Sequence, residues 1–565
     1  MKRLMIAALL SGALFAGCQA VPEVEKLNAQ AAEEYLQPIR PGYEGRNPFW
    51  NKFAKKFIYA PAFDFPEVEG AVAYKFTVKP AAEGAAQEWT FTAECPKAPL
   101  SPIWNEITPG NVVLTVEALD ADGKVMAQVG ERKFLRDFPF TGPYPDAVRD
   151  YKEAARMAIY YIHRMPAIQS WKTQTVPDMS YDHNTYPCKI IGATIRNEVL
   201  VAKEFPLLAD EAIAIAKNAA TFLIDMSQPE GSPLAFFPPT YYLDYVSSKR
   251  DWNQGKTMTL EACAAGHAFL DLYDYTGEQL YYDRAVGIAD TYLKLQGEDG
   301  SYPIKVDFVT GEPVNDVKAM LHPLLNYMQR LRSQYGLTKY DVITEKGEKW
   351  MNEVAVETFN MTGQFEDVNV LGLEPYENLT NCTAAPYASY LLQKENMTDM
   401  DLQNAKDLIR MSEDQFTFWD IVPNDHGIKR FAAPCVVEQY KYWTPVDASA
   451  HNVSMAFLDL YEATGDKLAF AKAKALIRRS RERSPQSTSN IIEAGPFTYN
   501  TSTLRFYKND VEIPLSAKEN SMIKLFIDNV DHIFSKDMIY SVIWGETIID
   551  ENAIMVYVNR LRQKI

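Results

Sequence analysis

The chain has 565 residues, 47% of them hydrophobic and 12% aromatic, which is enough for a large core and two or three domains. Its 74 acidic and 57 basic side chains leave a formal charge of −17, which argues against a general nucleic-acid binder, because little here would neutralise phosphates. The balance says little about substrate, since a local basic pocket can sit on an acidic surface.

The N-terminus reads as a targeting segment. Lys2 and Arg3 precede an apolar run from Leu4 to Phe15, too short to span a bilayer as a permanent helix. The run leads into LFAGC (14–18), which resembles a bacterial lipobox. That resemblance implies lipidation of Cys18, with residues 1–18 as signal and the rest anchored in the bacterial envelope. Outer membrane, periplasmic or surface-facing, is the expected location. Residues 19–48 are polar, rich in Glu and Ala, then punctuated by Pro38, Pro41 and Gly42, as in a tether.

Residues 49–137 change character. AVAYKFTV (71–78) and EWTFTAE (88–94) alternate apolar and polar side chains, as half-buried strands do. NVVLTVEALDADGKVMAQV (111–129) reads as two strands around an Asp-Ala-Asp-Gly turn. GAVAYKFTV and NVVLTVEALDADGK resemble strands of fibronectin type III-like sandwiches, which implies a small all-β module. PFTGPYPDA (139–147) is the linker into a helical region at 138–565.

Helices are expected near 151–164, 188–204, 207–226, 258–275, 279–296, 316–335, 342–361, 379–394 and 399–419, and again from Asp447. One pair occurs twice. AFLDLYDYTGE (268–278) and AFLDLYEATGD (456–466) each end at a glycine, Gly277 or Gly465, where a left-handed residue stops a helix. A second helix follows each copy, with Ala285 and Ala473 at the same offset. The copies lie 188 residues apart, and weaker pairs fill the interval at a period of about 63 residues, two helices and a long loop. The period argues against a tetratricopeptide-like solenoid, whose unit is about 34 residues. The end fits least: FTYNTSTLRFYKNDVEIPL (497–515) reads as strands, and 516–565 as one or two further helices.

The repeated AFLDLYxxTG(D/E) pairs, the GSYPIK turn (300–305) and YWTPVDASAH (442–451) together resemble an (α/α)6 toroid, the six-hairpin glycosidase fold. The fold class is therefore multi-domain, a small all-β sandwich followed by a large all-α (α/α)6 toroid. The resemblance implies a glycosidase, a polysaccharide lyase or a uronate epimerase, with a poly- or oligosaccharide substrate and no nucleic-acid partner. A helical, non-catalytic SusD-like glycan-binding lipoprotein is the rival, although QAVPEVEK after Cys18 lacks that family's usual acidic start.

In a toroid, loops at one rim open onto a shared cleft. Aromatic faces there suit sugar rings, and carboxylates suit proton transfer. Four loops carry both. The first has Asp178, Tyr181, Asp182 and His183, and the second Tyr241, Tyr242 and Asp244. The third has Asp425, His426, Glu438, Tyr440, Tyr442 and Trp443, ending at Asp447, and the fourth has Glu493 and Tyr499. A glycoside hydrolase needs one protonated and one ionised carboxyl group. Asp182 with Glu438 or Asp447 is the expected pair, although Asp182 and Asp447 also suit helix caps. His183 joins them as catalytic candidate; Tyr181, Tyr241, Tyr242, Asp244, Tyr440 and Trp443 are the sugar-binding candidates. Elimination would instead use His183 or His451 as base, with Lys429 and Arg430 gripping a carboxylate. His267 and His322 read as core. No Cys lies in a CxxC or Cys/His ligand spacing, so no zinc site is expected, and no cofactor is called for.

Overall fold

The computed structural model describes residues 20–39, 53–82, 86–144, 150–242, 253–361, 379–420, 433–440, 442–479, 491–494, 496–500, 505–509, 511–527, 539, 543 and 551–564. Helix α1 (Ala20–Glu34) comes first, followed by β1 (Lys56–Phe57), β2 (Ala73–Pro80), β3 (Trp89–Ala93), β4 (Gly110–Leu119) and β5 (Val125–Arg136). The strands form one sheet in the order β1-β5-β4-β2-β3, antiparallel except for the β1–β5 pair. Period-two alternation sets its faces: Tyr74, Phe76 and Val78 of β2 and Val112, Leu114, Val116 and Ala118 of β4 are buried. The Asp120 carboxylate closes the β4–β5 turn by accepting from the Asp122 and Lys124 amides.

The expected two-sheet sandwich is a single sheet among the described residues. Apolar side chains of the β3–β4 connection, Leu100, Ile103, Trp104 and Ile107, take part in its core where a second sheet would lie. Trp104 lies against Phe134 of β5 and donates its Nε1–H to the Ile58 carbonyl.

Six helical hairpins follow among the described residues. The inner members are α2 (Tyr151–His163), α4 (Gly192–Glu204), α6 (Ala262–Thr276), α8 (His322–Tyr335), α10 (Asn381–Leu392) and α12 (Asp447–Thr464). Their outer partners are α3 (Pro166–Gln169), α5 (Ala209–Asp225), α7 (Gln279–Leu295), α9 (Asp341–Trp350), α11 (Asp399–Phe416) and α13 (Lys467–Arg479). Each inner helix packs on its outer partner and on the next inner helix. The two AFLDLY copies, α6 and α12, stop at Gly277 (φ 71°) and Gly465 (φ 75°), whose amides bond back to Tyr273 and Tyr461.

The inner helices pack in sequence, α2 on α4, α4 on α6, α6 on α8, α8 on α10 and α10 on α12. Among the described residues no comparable packing joins α12 back to α2, where Met157, Tyr161 and Ile162 are exposed. No described helix is long and apolar enough to cross a membrane.

The hairpins end at Arg479, well before the expected limit of 565. Strands β8 (Thr417–Phe418), β9 (Cys435–Gln439) and β10 (Tyr442–Pro445) precede α12, and β6 (Lys256–Met258) pairs with β7 (Lys305–Asp307). After α13 comes a four-stranded antiparallel meander, β11 (Ile491–Ala494), β12 (Phe497–Asn500), β13 (Arg505–Lys508) and β14 (Val511–Ile513), then α14 (Ala517–Ile527) and α15 (Glu551–Lys564). These elements have a core of their own: Tyr499, Phe506, Met522, Ile523, Ile554 and Leu561. The strand alternation seen in 497–515 thus belongs to a separate unit and not to an approach to another hairpin.

The expected tether at 19–48 begins as a docked helix. Leu27, Ala31 and Tyr35 recur every four residues, a stripe hidden by the polar composition, and α1 packs on α13. Its C-terminal end meets a buried polar junction. The Glu413 carboxylate of α11, wholly buried, accepts from Tyr35 Oη (2.6 Å), Tyr59 Oη (2.9 Å), Trp419 Nε1 (3.0 Å) and Lys472 Nζ (2.9 Å). Beside it the Asp414 carboxylate accepts from the Ile58 and Tyr59 amides and from Gln415 Nε2. Lys56 pairs with Asp137 at 2.9 Å and donates to the Thr417 carbonyl.

Burial pushes the Asp414 carboxyl up to about 6, against the smaller opposing pull of Lys56 and its hydrogen-bond donors. A carboxyl raised on folding stabilises the native state fully below its unfolded value, and that contribution is lost as pH climbs through about 6. The size is about 3 kcal/mol. We expect the stability gap between wild type and Asp414→Asn, measured by denaturant midpoints, to widen from pH 7 to pH 4.5. A pH-independent gap contradicts this account.

Candidate active site

Chain direction sorts the connections. Inner helices lead to outer ones through short turns, as at 164–165, 277–278 and 465–466. Outer helices return through long connections, 226–261, 296–321, 357–380 and 417–446 among them. The described residues just before each inner helix therefore lie on its N-terminal side. Long loops kept in a compact domain are where binding and catalysis concentrate.

The loops are tied to one another. The Tyr242 amide donates to the Thr185 carbonyl (2.9 Å), Cys188 Sγ to the carbonyls of Pro238 and Pro239, and Lys305 Nζ to Asn253 Oδ1 (2.8 Å). The Tyr440 amide bonds to Leu379, and Thr380 Oγ1 donates to the Glu438 carbonyl (2.9 Å). The last contacts seat β9 against the start of α10.

Glu438, at the end of β9, is the predicted residue that the fold places among other chemistry-bearing groups. Its Oε1 lies 3.8 Å from Cys382 Sγ, which is 4.0 Å from Ser449 Oγ at the start of α12. Burial above all, then the charge of Glu438, pushes the Cys382 thiol up to about 11, against Thr380, Ser449 and Lys189. At neutral pH this thiol is a neutral donor toward Glu438. Lys189 pairs with Glu261, the residue before α6, at 2.8 Å, with the Glu261 side chain mostly enclosed. The result is a line of groups across the inner-helix ends, Glu261–Lys189 on one side and Cys382–Glu438 on the other.

Two further groups stand at the same level. His322 opens α8; burial pushes its imidazole down to about 3, and its Nδ1 is enclosed without a hydrogen-bond partner. Asn381 opens α10, wholly buried, donating from Nδ2 to the Val437 carbonyl while its Oδ1 has no partner. Lys189, Glu261, Asn381, Cys382 and Ser449 are missing from the sequence-predicted set, and His322 was assigned there to the core. Their common signal is position: each stands where a long loop becomes an inner helix.

The other predicted residues are dispersed. Asp182 and His183 are exposed on a short helical turn, with the His183 ring stacked on Tyr181 at 5.2 Å. Tyr241 faces Tyr186, and Tyr242 meets Phe222 edge-on. Asp447 is exposed as the first residue of α12, with His451 one turn on. Two predictions are corrected by burial. Tyr440 is buried and donates to Gln415 Oε1 (2.7 Å), so its ring packs against Phe416 instead of a cleft. Tyr499 is buried in the C-terminal unit, bonded to Asn520. His267, by contrast, sits within α6 beside Arg330, as a core reading implies. Cys18, Asp244, Asp425, His426, Lys429 and Arg430, and the side chains of Tyr442, Trp443 and Glu493, lie outside the described residues. Among the described residues no three His, Cys, Asp or Glu side chains are grouped to hold a metal ion.

Comparison with known proteins finds two different likenesses. A family model described as "Transcriptional regulatory protein, C terminal" matches residues 510–565. The uncharacterized transcriptional regulatory protein YcbL of Bacillus subtilis is 31% identical over 98 residues, 17% of this chain and 43% of its own length. The regulatory protein VanR of Enterococcus faecium is 26% identical over 99 residues, again 17% and 43%. The chain thus spans less than half the length of these relatives. Among solved structures, a D-mannose isomerase has a TM-score of 0.40 at 12% identity, covering 59% of this chain and 86% of that one. The unsaturated glucuronyl hydrolase of Bacillus sp. GL1 has 0.35 at 12%, covering 62% and 91%. A family 76 glycoside hydrolase from a bovine Bacteroides thetaiotaomicron strain has 0.28 at 10%, covering 90% and 85%.

Proposed function

We propose that the hairpin domain is a carbohydrate-active enzyme that hydrolyses a glycosidic bond at the inner-helix rim. The observation that carries this reading is that two carboxylates stand at the inner-helix ends beside different groups. Glu261 pairs with the Lys189 ammonium, and Glu438 lies 3.8 Å from the Cys382 thiol. Hydrolysis needs one ionised carboxylate and one proton donor. We assign Glu261 as the ionised partner and Glu438 as the acid. Asp182 and Asp447, exposed at the loop ends, are assigned to substrate contact rather than proton transfer.

The test is a panel of plant and host polysaccharides incubated with the full chain, read two ways. Hydrolysis releases reducing ends without new ultraviolet absorbance. Elimination from a uronate creates an unsaturated, absorbing product. Absorbance without hydrolysis products, or binding without turnover across the panel, overturns the assignment.

A second reading concerns residues 491–564 alone and is favoured by the match to transcriptional regulators. We infer that this unit contacts DNA through α15, on which Arg560 and Arg562 are exposed while Ile554 and Leu561 hold the helix to its core. Phosphate contacts of this kind weaken with salt. Removing both arginines should lower the salt dependence by about two ion equivalents in a gel-shift titration. The two ends of the chain make opposite demands, because a lipid on Cys18 would hold it outside the compartment that contains DNA. Fatty-acid labelling of wild type and Cys18→Ser, followed by membrane fractionation, separates them. Label and membrane association lost in the variant favour the anchored glycan enzyme. An unlabelled chain that shifts DNA favours the regulator.

A further inference from the structure

A cavity of about 100 Å³ lies away from the rim, between α11, α12, α13, the end of α1 and the segment after β1. One wall is apolar: Ile409, Phe457, Leu460 and Leu468. The rest is charged, and the partners of those charges can be counted. Of the three carboxylates, Glu413 is taken by its four donors, and Glu34 faces Lys472 at 3.7 Å. Asp466 accepts from the Leu468 amide, capping α13, and from Gln30. Of the three cations, Lys472 is matched by Glu413 and Glu34. Lys406 and Arg410, one turn apart on α11, have no ion pair among the described residues, and Arg410 meets only the Tyr59 ring face, at 5.7 Å. The cavity is therefore lined by carboxylate oxygens that are engaged, Asp466 Oδ2 apart, and by eight N–H donors of Lys406 and Arg410, five guanidinium and three ammonium, that have no hydrogen bond among the described residues.

We propose that this cavity is a binding site for a small oxyanion, a single carboxylate or phosphate group, held by Lys406 and Arg410. The planar guanidinium fork suits two oxygens of one anion, and the ammonium supplies a point charge beside it. The volume holds several water molecules or one anion of a few heavy atoms, and excludes a sugar polymer. The apolar wall gives a short aliphatic carboxylate a surface that inorganic phosphate lacks. Because Tyr59 and Glu34 come from the N-terminal part and Lys406 and Arg410 from α11, an occupant would brace that junction.

The experiment titrates acetate, butyrate and inorganic phosphate separately into the full chain at constant ionic strength set with sodium chloride, reading thermal unfolding and heat of binding. A saturable rise in Tm of about 2 °C or more is expected for at least one of them. The same rise should be absent from Arg410→Gln and from Lys406→Gln, both partly exposed and outside the core. Butyrate above acetate identifies an aliphatic carboxylate, and phosphate alone identifies a phosphoryl group. No saturable change with any of the three overturns the proposal. So does a rise that persists undiminished in both variants.

Discussion

Glu413→Ala is expected to cost about 3–5 kcal/mol of stability, the range for removing one member of a buried charged network. The residue is wholly buried and serves two phenols, an indole and an ammonium at once. Alanine leaves the Lys472 ammonium, 2% exposed, with only Glu34 at 3.7 Å, and leaves three neutral donors facing a void. Unsatisfied donors of that kind each cost about 1–3 kcal/mol. Glutamine does not rescue the site, since its amide NH2 would face two of the donors that the carboxylate now accepts. The donors come from four places in the chain: the end of α1, the segment after β1, the segment after β8, and α13. The loss should therefore appear as one cooperative transition moving to lower denaturant, with the N-terminal sheet and the hairpins unfolding together. A cost under about 1 kcal/mol, or early separate melting of the sheet, would show that the junction is not the tie described.

Much of the helical architecture was legible in the residues. The four-and-three spacing around Ala285 and Ala473, and the glycines at 277 and 465, specify hairpins without help from distant contacts. The strands at 73–80, 89–93 and 110–136 follow from alternation for the same reason. What stayed hidden depended on partners far along the chain. The stripe Leu27–Ala31–Tyr35 has meaning only once α13 is beside it, so a polar composition read as a tether. Tyr440 and Tyr499 carry the same ring as Tyr181. Only the fold shows that their hydroxyls are taken by Gln415 and Asn520. Glu261 and Lys189 are 72 residues apart and unremarkable in sequence, and nothing local marks them as an ion pair. Of the end of the hairpins at Arg479, the sequence carries only one sign, the strand alternation at 497–515 that fits the repeat least.

The central claim is that Glu261 and Glu438 act together at the rim. Glu261 precedes α6 and Glu438 lies near the end of β9, and amide replacement keeps the size of each side chain, so the fold should stay intact. Proton transfer by a positioned carboxyl contributes about 100-fold or more to such a reaction. Loss of either member of a pair that acts as a unit should cost nearly as much as loss of both. The direct measurement is turnover of one responsive polysaccharide by wild type, Glu261→Gln, Glu438→Gln and the double variant, at matched thermal stability. The account predicts a fall of about 100-fold or more in each single variant and little further loss in the double. Wild-type turnover in either single variant would contradict it.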